Sequence, residues 1–187
     1  NVGDQLVSKL KTQVEKLKVG PGMDKTSEMG PLVTKQHLEK VRGYVDIGEK
    51  EGAKLVVDGR NIKLQGYENG FFIGGCLFDH VTEDMTIYKE EIFGPIVTLQ
   101  PFETVQEAIN IANQSDYGLS ATIWTGDSVR GGEISKKINA GVIWINCWML
   151  RDLRTPFGGM KQSGLGREGG LDVLHFFTEQ KNICKPV

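Results

Sequence analysis

Glu90 and Glu91 stand side by side, followed by Ile92, Phe93 and a Gly94-Pro95 break. An ionised carboxylate only accepts hydrogen bonds. Pro95 biases Gly94 away from the helical region, which marks a bend. Apolar, strand-like runs flank it, Phe71 to Phe78 before and Ile96 to Leu99 after. At such a bend a carboxylate can point into a cleft, with Phe93 packing beneath whatever occupies it. The ordinary alternative is a surface acid pair beside a buried turn and a core Phe.

A second group of chemistry-bearing residues lies further on. Val142 to Asn146 is an apolar run ending in Asn, and Cys147 follows. Arg151 and Arg154 flank Asp152 and Leu153. A guanidinium can grip a carboxylate through paired hydrogen bonds, or the cluster can satisfy itself by internal salt bridges. Pro156 to Gly164 is glycine-rich, yet it contains neither GxGxxG nor a P-loop. Cys76, Cys147 and Cys184 are widely spaced, and with His37, His80 and His175 they form no metal-binding pattern. Nothing in the sequence around Cys147 marks an activated thiolate, so all three cysteines are expected to be buried, inert thiols. The histidines are expected in surface or packing roles.

The chain has 187 residues, a net charge of -2 and 39% hydrophobic residues. That balance fits a globular protein of one domain and argues against nucleic acid or a membrane surface as partner. No apolar run approaches the ~18 residues needed to span a bilayer. Few, unpaired cysteines fit a reducing cytoplasmic setting.

The elements that must position these residues follow from periodicity. Asp4 is expected to cap a helix with Leu6, Val7, Leu10, Val14 and Leu17 on one face, ending at Gly20-Pro21-Gly22. A second helix carries Leu38, Val41, Tyr44 and Val45. Lys54 to Asp58 reads as a strand, and Phe71 onward as another. Beyond Pro95 strands and helices alternate: strand 96–102, a helix from the Thr104-Val105-Gln106-Glu107 capping box to Ala112, strand 119–124, helix 128–138 and strand 142–146. Asn113 to Gly118 reads as a turn. The pattern predicts an α/β fold, a mostly parallel open sheet flanked by helices.

Lys89-Glu90-Glu91-Ile92-Phe93-Gly94-Pro95, with Gly30-Pro31-Leu32, the Pro156 to Gly164 loop and Phe176-Phe177-Thr178-Glu179, resembles the C-terminal part of the aldehyde dehydrogenase catalytic domain across essentially the whole chain. The resemblance implies a partial catalytic domain over 1–177 and a strand-like tail over 178–187 that serves as an oligomerisation arm. It also implies that the nucleophilic cysteine, the base and the Rossmann part lie upstream, so these residues alone are expected to be inactive. In that family a cysteine attacks the aldehyde, hydride passes to a nicotinamide and water hydrolyses the thioester. The resemblance implies NAD, with NADP not excluded. The carboxylate matching Glu91 accepts from the nicotinamide ribose hydroxyls, and the aromatic matching Phe93 meets the nicotinamide end. Asn146 and Phe157 are assigned with Arg154 and Arg151 to the substrate side, Arg154 first.

Residues Asn146 to Gly159 resemble the 2-hydroxymuconate and 2-aminomuconate semialdehyde dehydrogenases, which implies an aldehyde bearing an acid. Lys40 to Asp46 and Gly66 to Phe72 look more like methylmalonate-semialdehyde dehydrogenases, which would use CoA and release an acyl-CoA. The parent is expected to be a cytoplasmic homodimer or homotetramer. A reading from a different class is a non-catalytic structural or assembly module.

Overall fold

The computed structural model describes residues 2–186 of the chain. Its contacts divide it between Pro101 and Phe102.

In the first unit, helix α1 (Val2–Lys16) lays the partly buried Val7, Leu10 and Val14 along one stripe and packs on the strands that follow. Asp4 sits within its first turn rather than capping it, where its charge still favours the helix dipole. Helix α2 (Lys35–Lys50) begins at Thr34, whose hydroxyl accepts from the His37 amide at 3.1 Å. Such a cap is worth about 1 kcal/mol. Leu38, Val41, Tyr44 and Val45 on its inner face are buried, as their spacing predicts.

Strands β1 (Lys54–Val57) and β2 (Cys76–Asp79), the short helix α3 (Thr86–Lys89) and strand β3 (Ile96–Thr98) complete this unit. The sheet order is β1-β2-β3, with β1 antiparallel to β2 and β2 parallel to β3. Phe78, Ile73, Val41, Val45 and Val81 form its core with Leu38 and Ile87. Burying each large apolar side chain contributes roughly 1.5–3 kcal/mol. The strand expected from Phe71 starts only at Cys76. Before it, Gly74 crosses Gly59 so closely that Gly59 has no room for a Cβ, and the Gly74 amide donates to the Gly59 carbonyl at 2.8 Å. That crossing replaces ladder pairing.

The second unit contains helix α4 (Val105–Gln114), strands β4 (Tyr117–Gly118) and β5 (Ser120–Ile123), helix α5 (Ser128–Ser135), strands β6 (Val142–Ile145) and β7 (Met160–Lys161), and helix α6 (Asp172–Phe177). The capping box at Thr104 and Glu107 forms as expected. β5 and β6 run parallel in the register Ser120↔Val142 through Ile123↔Ile145, joined across α5. Gly131 of α5 lies where a Cβ would press on Thr125 and Ile145, so this glycine lets the helix approach β6. The expected turn at 113–118 ends in β4, which pairs antiparallel with β7 inside the glycine-rich loop. That pairing joins residues far apart in sequence and left no periodic signal. The α/β class holds; the strands are distributed over one three-stranded and two two-stranded sheets. Residues 178–186 are exposed and carry no strand pairing among the described residues.

Candidate functional site

The acid-bearing turn lies in the first unit. Ile92 is buried, while Glu91 and Phe93 on either side of it are exposed. One buried anchor thus leaves both the acid and the ring exposed on either side of it. Phe93 is 75% exposed and has φ +58°, a left-handed backbone that bulky residues rarely adopt. Its carbonyl accepts a hydrogen bond from His37 Nε2 at 2.7 Å, so that nitrogen carries the proton. The two rings lie 6.3 Å apart.

Glu90 is committed elsewhere: its Oε2 accepts from the Tyr44 hydroxyl at 2.5 Å. Glu91 has no hydrogen bond or ion pair among the described residues. The two neighbouring acids therefore differ in role, one tied to the scaffold and one with its acceptors available. Beside them an open groove of about 510 Å³ is lined by Met29, Gly30, Pro31, Leu32, Phe93 and Pro95. Gly94 also borders it; a Cβ there would come within 2.7 Å of Val41 on α2. An available acceptor carboxylate beside an exposed ring and an apolar groove fits a ligand that presents hydroxyls and a flat ring.

The second unit places Asn146 at the end of β6 with φ +53°. Its carboxamide oxygen accepts from the Thr125 amide and its nitrogen donates to the Thr125 carbonyl, both at 2.8 Å. Asn146 thus ties the end of β6 to the chain leaving β5. Trp144 Nε1 donates to the Leu150 carbonyl at 2.7 Å and fixes the start of the following loop.

Arg154 is paired with Asp152 through its Nε (2.9 and 3.2 Å) and Nη2 (2.6 Å), with 89% of its side chain exposed. The Arg154 guanidinium holds the Asp152 carboxyl below the usual range. Arg151 pairs with Glu168 at 2.5 Å, and its guanidinium lies 4.1 Å from the centre of the Phe157 ring. Arg151 thus stacks on the Pro156 to Gly164 loop although Arg154 is nearer to it in sequence. Phe157 and Glu168 exchange backbone hydrogen bonds at 2.7 Å each.

Three side chains that pin the glycine-rich loop carried no sequence signal. Lys161 Nζ donates to the carbonyls of Asn113 and Ser115, at 2.7 and 2.6 Å, where α4 ends. The Ser163 hydroxyl accepts from the Gly118 amide at 2.9 Å, and Arg167 Nη1 donates to the Gly159 carbonyl at 2.9 Å. The partners of His37 and Tyr44 carry no sequence signal either, because 56 and 46 residues separate them. The glycine-rich loop is therefore held at several points.

Of the cysteines, Cys76 is buried beneath Gly59 and Gly74, and burial pushes its thiol up. Cys147 is partly buried and Cys184 is exposed, so the buried reading fails for Cys184, which lies in the extended tail. His80 Nδ1 lies 3.0 Å from Asp79. Among the described residues no cluster of three or more His, Cys, Asp or Glu is suited to a metal, and no helix is long and apolar enough to cross a membrane.

These segments, from Gly30-Pro31-Leu32 through the acid turn to the glycine-rich loop, coincide with a family model. Residues 1–183 match the aldehyde dehydrogenase family, and the chain belongs to that family. It is 41% identical over 182 residues to a 2-hydroxymuconic semialdehyde dehydrogenase of Pseudomonas sp. strain CF600, covering 97% of this chain and 37% of that protein. It is 40% identical over 183 residues to a betaine aldehyde dehydrogenase of Brucella anthropi, covering 98% and 38%. Its structure superposes on an aldehyde dehydrogenase of Mycobacterium tuberculosis solved with NAD+, with a TM-score of 0.90 and 42% identity, covering 98% of this chain and 38% of that one. The chain spans little more than a third of the length of these relatives.

Proposed function

We propose that this chain supplies the nicotinamide-ribose contact and the substrate-side loop of an NAD-dependent aldehyde dehydrogenase that oxidises a carboxylate-bearing semialdehyde to the acid through a cysteine thioester. The observation that carries the reading is Glu91, an exposed carboxylate with no described partner, set beside the exposed Phe93 ring. The relative solved with NAD+ supports the choice of cofactor. NADP remains an alternative to NAD in this reading.

Bound there, the nicotinamide would accept the hydride. Glu91 would take the ribose hydroxyl donors and fix the sugar, while Phe93 would limit how far the nicotinamide end can swing. An ionised acceptor suits this role because each hydrogen bond is charge-assisted. Asn146, Phe157 and the two arginines belong to the substrate side. Relatives named for an acid-bearing and for a cationic aldehyde are nearly equally similar, at 41% and 40% identity. Arg154 supports the acid, since its exposed guanidinium can exchange Asp152 for a substrate carboxylate. The parent is read as a cytoplasmic homodimer or homotetramer, with 178–187 as an oligomerisation arm.

The test is Glu91→Gln in the full-length enzyme. It keeps shape and removes charge, and a hydrogen bond to a charged group is worth roughly 1.5–3 kcal/mol. NAD+ affinity should fall or hydride transfer should slow with the fold intact. Unchanged affinity and turnover would leave Glu91 a structural acid. A strict CoA requirement would move the substrate reading to the acyl-CoA-forming branch.

A further inference from the structure

One face of α2 follows the whole segment from Thr86 to Gly94. Residues 37, 41, 44, 48 and 51 are separated by alternating steps of four and three, which places them along one stripe of a helix. Each meets that segment. Both carboxylate oxygens of Glu51, at the C-cap, accept from Thr86, one from the amide at 2.7 Å and one from the hydroxyl at 2.6 Å. Gly48 leaves room for Ile87, whose Cδ1 would lie 2.9 Å from a Cβ there. Tyr44 donates to Glu90, Val41 closes on Gly94, and His37 donates to the Phe93 carbonyl.

The last three contacts bracket Glu91. Glu90 is anchored before it, Ile92 is buried after it, and Phe93 is held in a left-handed backbone that a bulky residue does not choose alone. We propose that α2 is the positioning element of the acid turn, and that His37 and Tyr44 are positioning residues that aim Glu91 and Phe93 at the cofactor. This inference rests on the assignment of Glu91 to the cofactor. Neither residue need touch the ligand, since each acts on the backbone or side chain next to one that does.

The test uses Tyr44→Phe, His37→Leu and His37→Gln in the full-length enzyme, with Glu91→Gln alongside. Tyr44→Phe keeps the buried ring and removes only the hydroxyl. His37 is partly buried and lies outside the core cluster, so its replacement leaves the core unchanged. Gln restores a donor where Leu has none. Measured are NAD+ dissociation constants by titration, KM for NAD+ and for aldehyde, kcat and Tm. Tyr44→Phe and His37→Leu should each weaken NAD+ binding roughly fivefold, the effect of one lost hydrogen bond. The aldehyde KM should hold, and His37→Gln should recover most of the His37→Leu loss. Wild-type NAD+ affinity in Tyr44→Phe and His37→Leu, with or without a lower Tm, would overturn the positioning role if Glu91→Gln does weaken binding. Were Glu91→Gln itself neutral, the cofactor assignment would fall, and the positioning role with it.

Discussion

Arg151 lies with its guanidinium 4.1 Å from the centre of the Phe157 ring, while its Nη2 meets Glu168 at 2.5 Å. Phe157 and Glu168 are already joined backbone to backbone. Arg151 is therefore a brace across that joint. Arg154 has a different situation: its partner Asp152 is two residues away, and the pair faces solvent.

Replacing these two arginines should give different kinetic patterns. Arg151→Ala removes a stacking contact worth about 0.5–1 kcal/mol at an exposed site and a surface ion pair worth about 0.2–1 kcal/mol. The loop loosens, and KM should rise several-fold for all aldehydes alike. Arg154→Ala should leave neutral aldehydes nearly unaffected and lower kcat/KM for an acid-bearing semialdehyde by roughly tenfold or more. Steady-state kinetics on a muconate-type semialdehyde and a neutral aldehyde of similar size separate the two. A uniform loss in Arg154→Ala would make it a loop residue.

Asn146 should prove to be a structural tie. Asn146→Ala removes two hydrogen bonds, each worth about 0.5–1.5 kcal/mol, and forces Ala into a left-handed backbone that costs about 1–2 kcal/mol. Unfolding in urea should show a loss of about 2 kcal/mol or more. Asn146→Gly, free of the backbone penalty, should lose less. An unchanged midpoint in Asn146→Ala would return its side chain to the substrate role.

Much of this was legible in the sequence, and the exceptions have a common cause. The helical stripe of α2, the capping box at Thr104 and the strands β5 and β6 follow from local periodicity and side-chain chemistry. The bend at Gly94-Pro95 followed from turn chemistry. What stayed hidden depends on residues distant in the chain. The β4–β7 pairing, the Lys161 contacts on the end of α4 and the Tyr44–Glu90 bond all join segments whose meeting only the fold decides. The stacking of Arg151 on Phe157 was hidden for the same reason, because nearness in sequence does not measure nearness in space.

Acid should act on the first unit through Arg60. Its guanidinium holds Asp46, Glu49 and Asp58 at 2.5, 2.6 and 2.7 Å. The hydrogen bond from Arg60 outweighs burial and holds the Asp58 carboxyl below its ordinary value. A depressed folded-state value means that the stability it contributes is present above the unfolded value of ~3.9 and is lost as pH falls through the folded one. Asp58→Asn should therefore be less stable than wild type near neutrality. The gap should close as pH is lowered past about 3.9. Urea midpoints across that range check it; a pH-independent gap would assign the loss to packing.

The thiols supply a separate check. Purified alone, these 187 residues should form no NADH from aldehyde, because neither Cys76 nor Cys147 shows the surroundings of an activated nucleophile. Alkylation of the folded chain, followed by mass spectrometry, should label the exposed Cys184 first and Cys76, which is 1% exposed, only after unfolding. Turnover that vanishes on Cys147→Ala would overturn both the inactivity and the reading of that thiol.

Gly141 and Gly158 meet backbone against backbone, with no room for a Cβ at Gly141, and Gly158 is packed in turn against Gly166 and Arg167. The foot of the substrate-side loop is thus seated mainly by main-chain atoms, while residues 148–156 are exposed. Foot and apex answer to different demands. The apex can be exchanged like an insert in a fixed socket, by surface substitutions that leave the socket intact. The same division makes the socket brittle. A single methyl group at Gly141 would displace the entire insert, and no change at the apex could restore its seat.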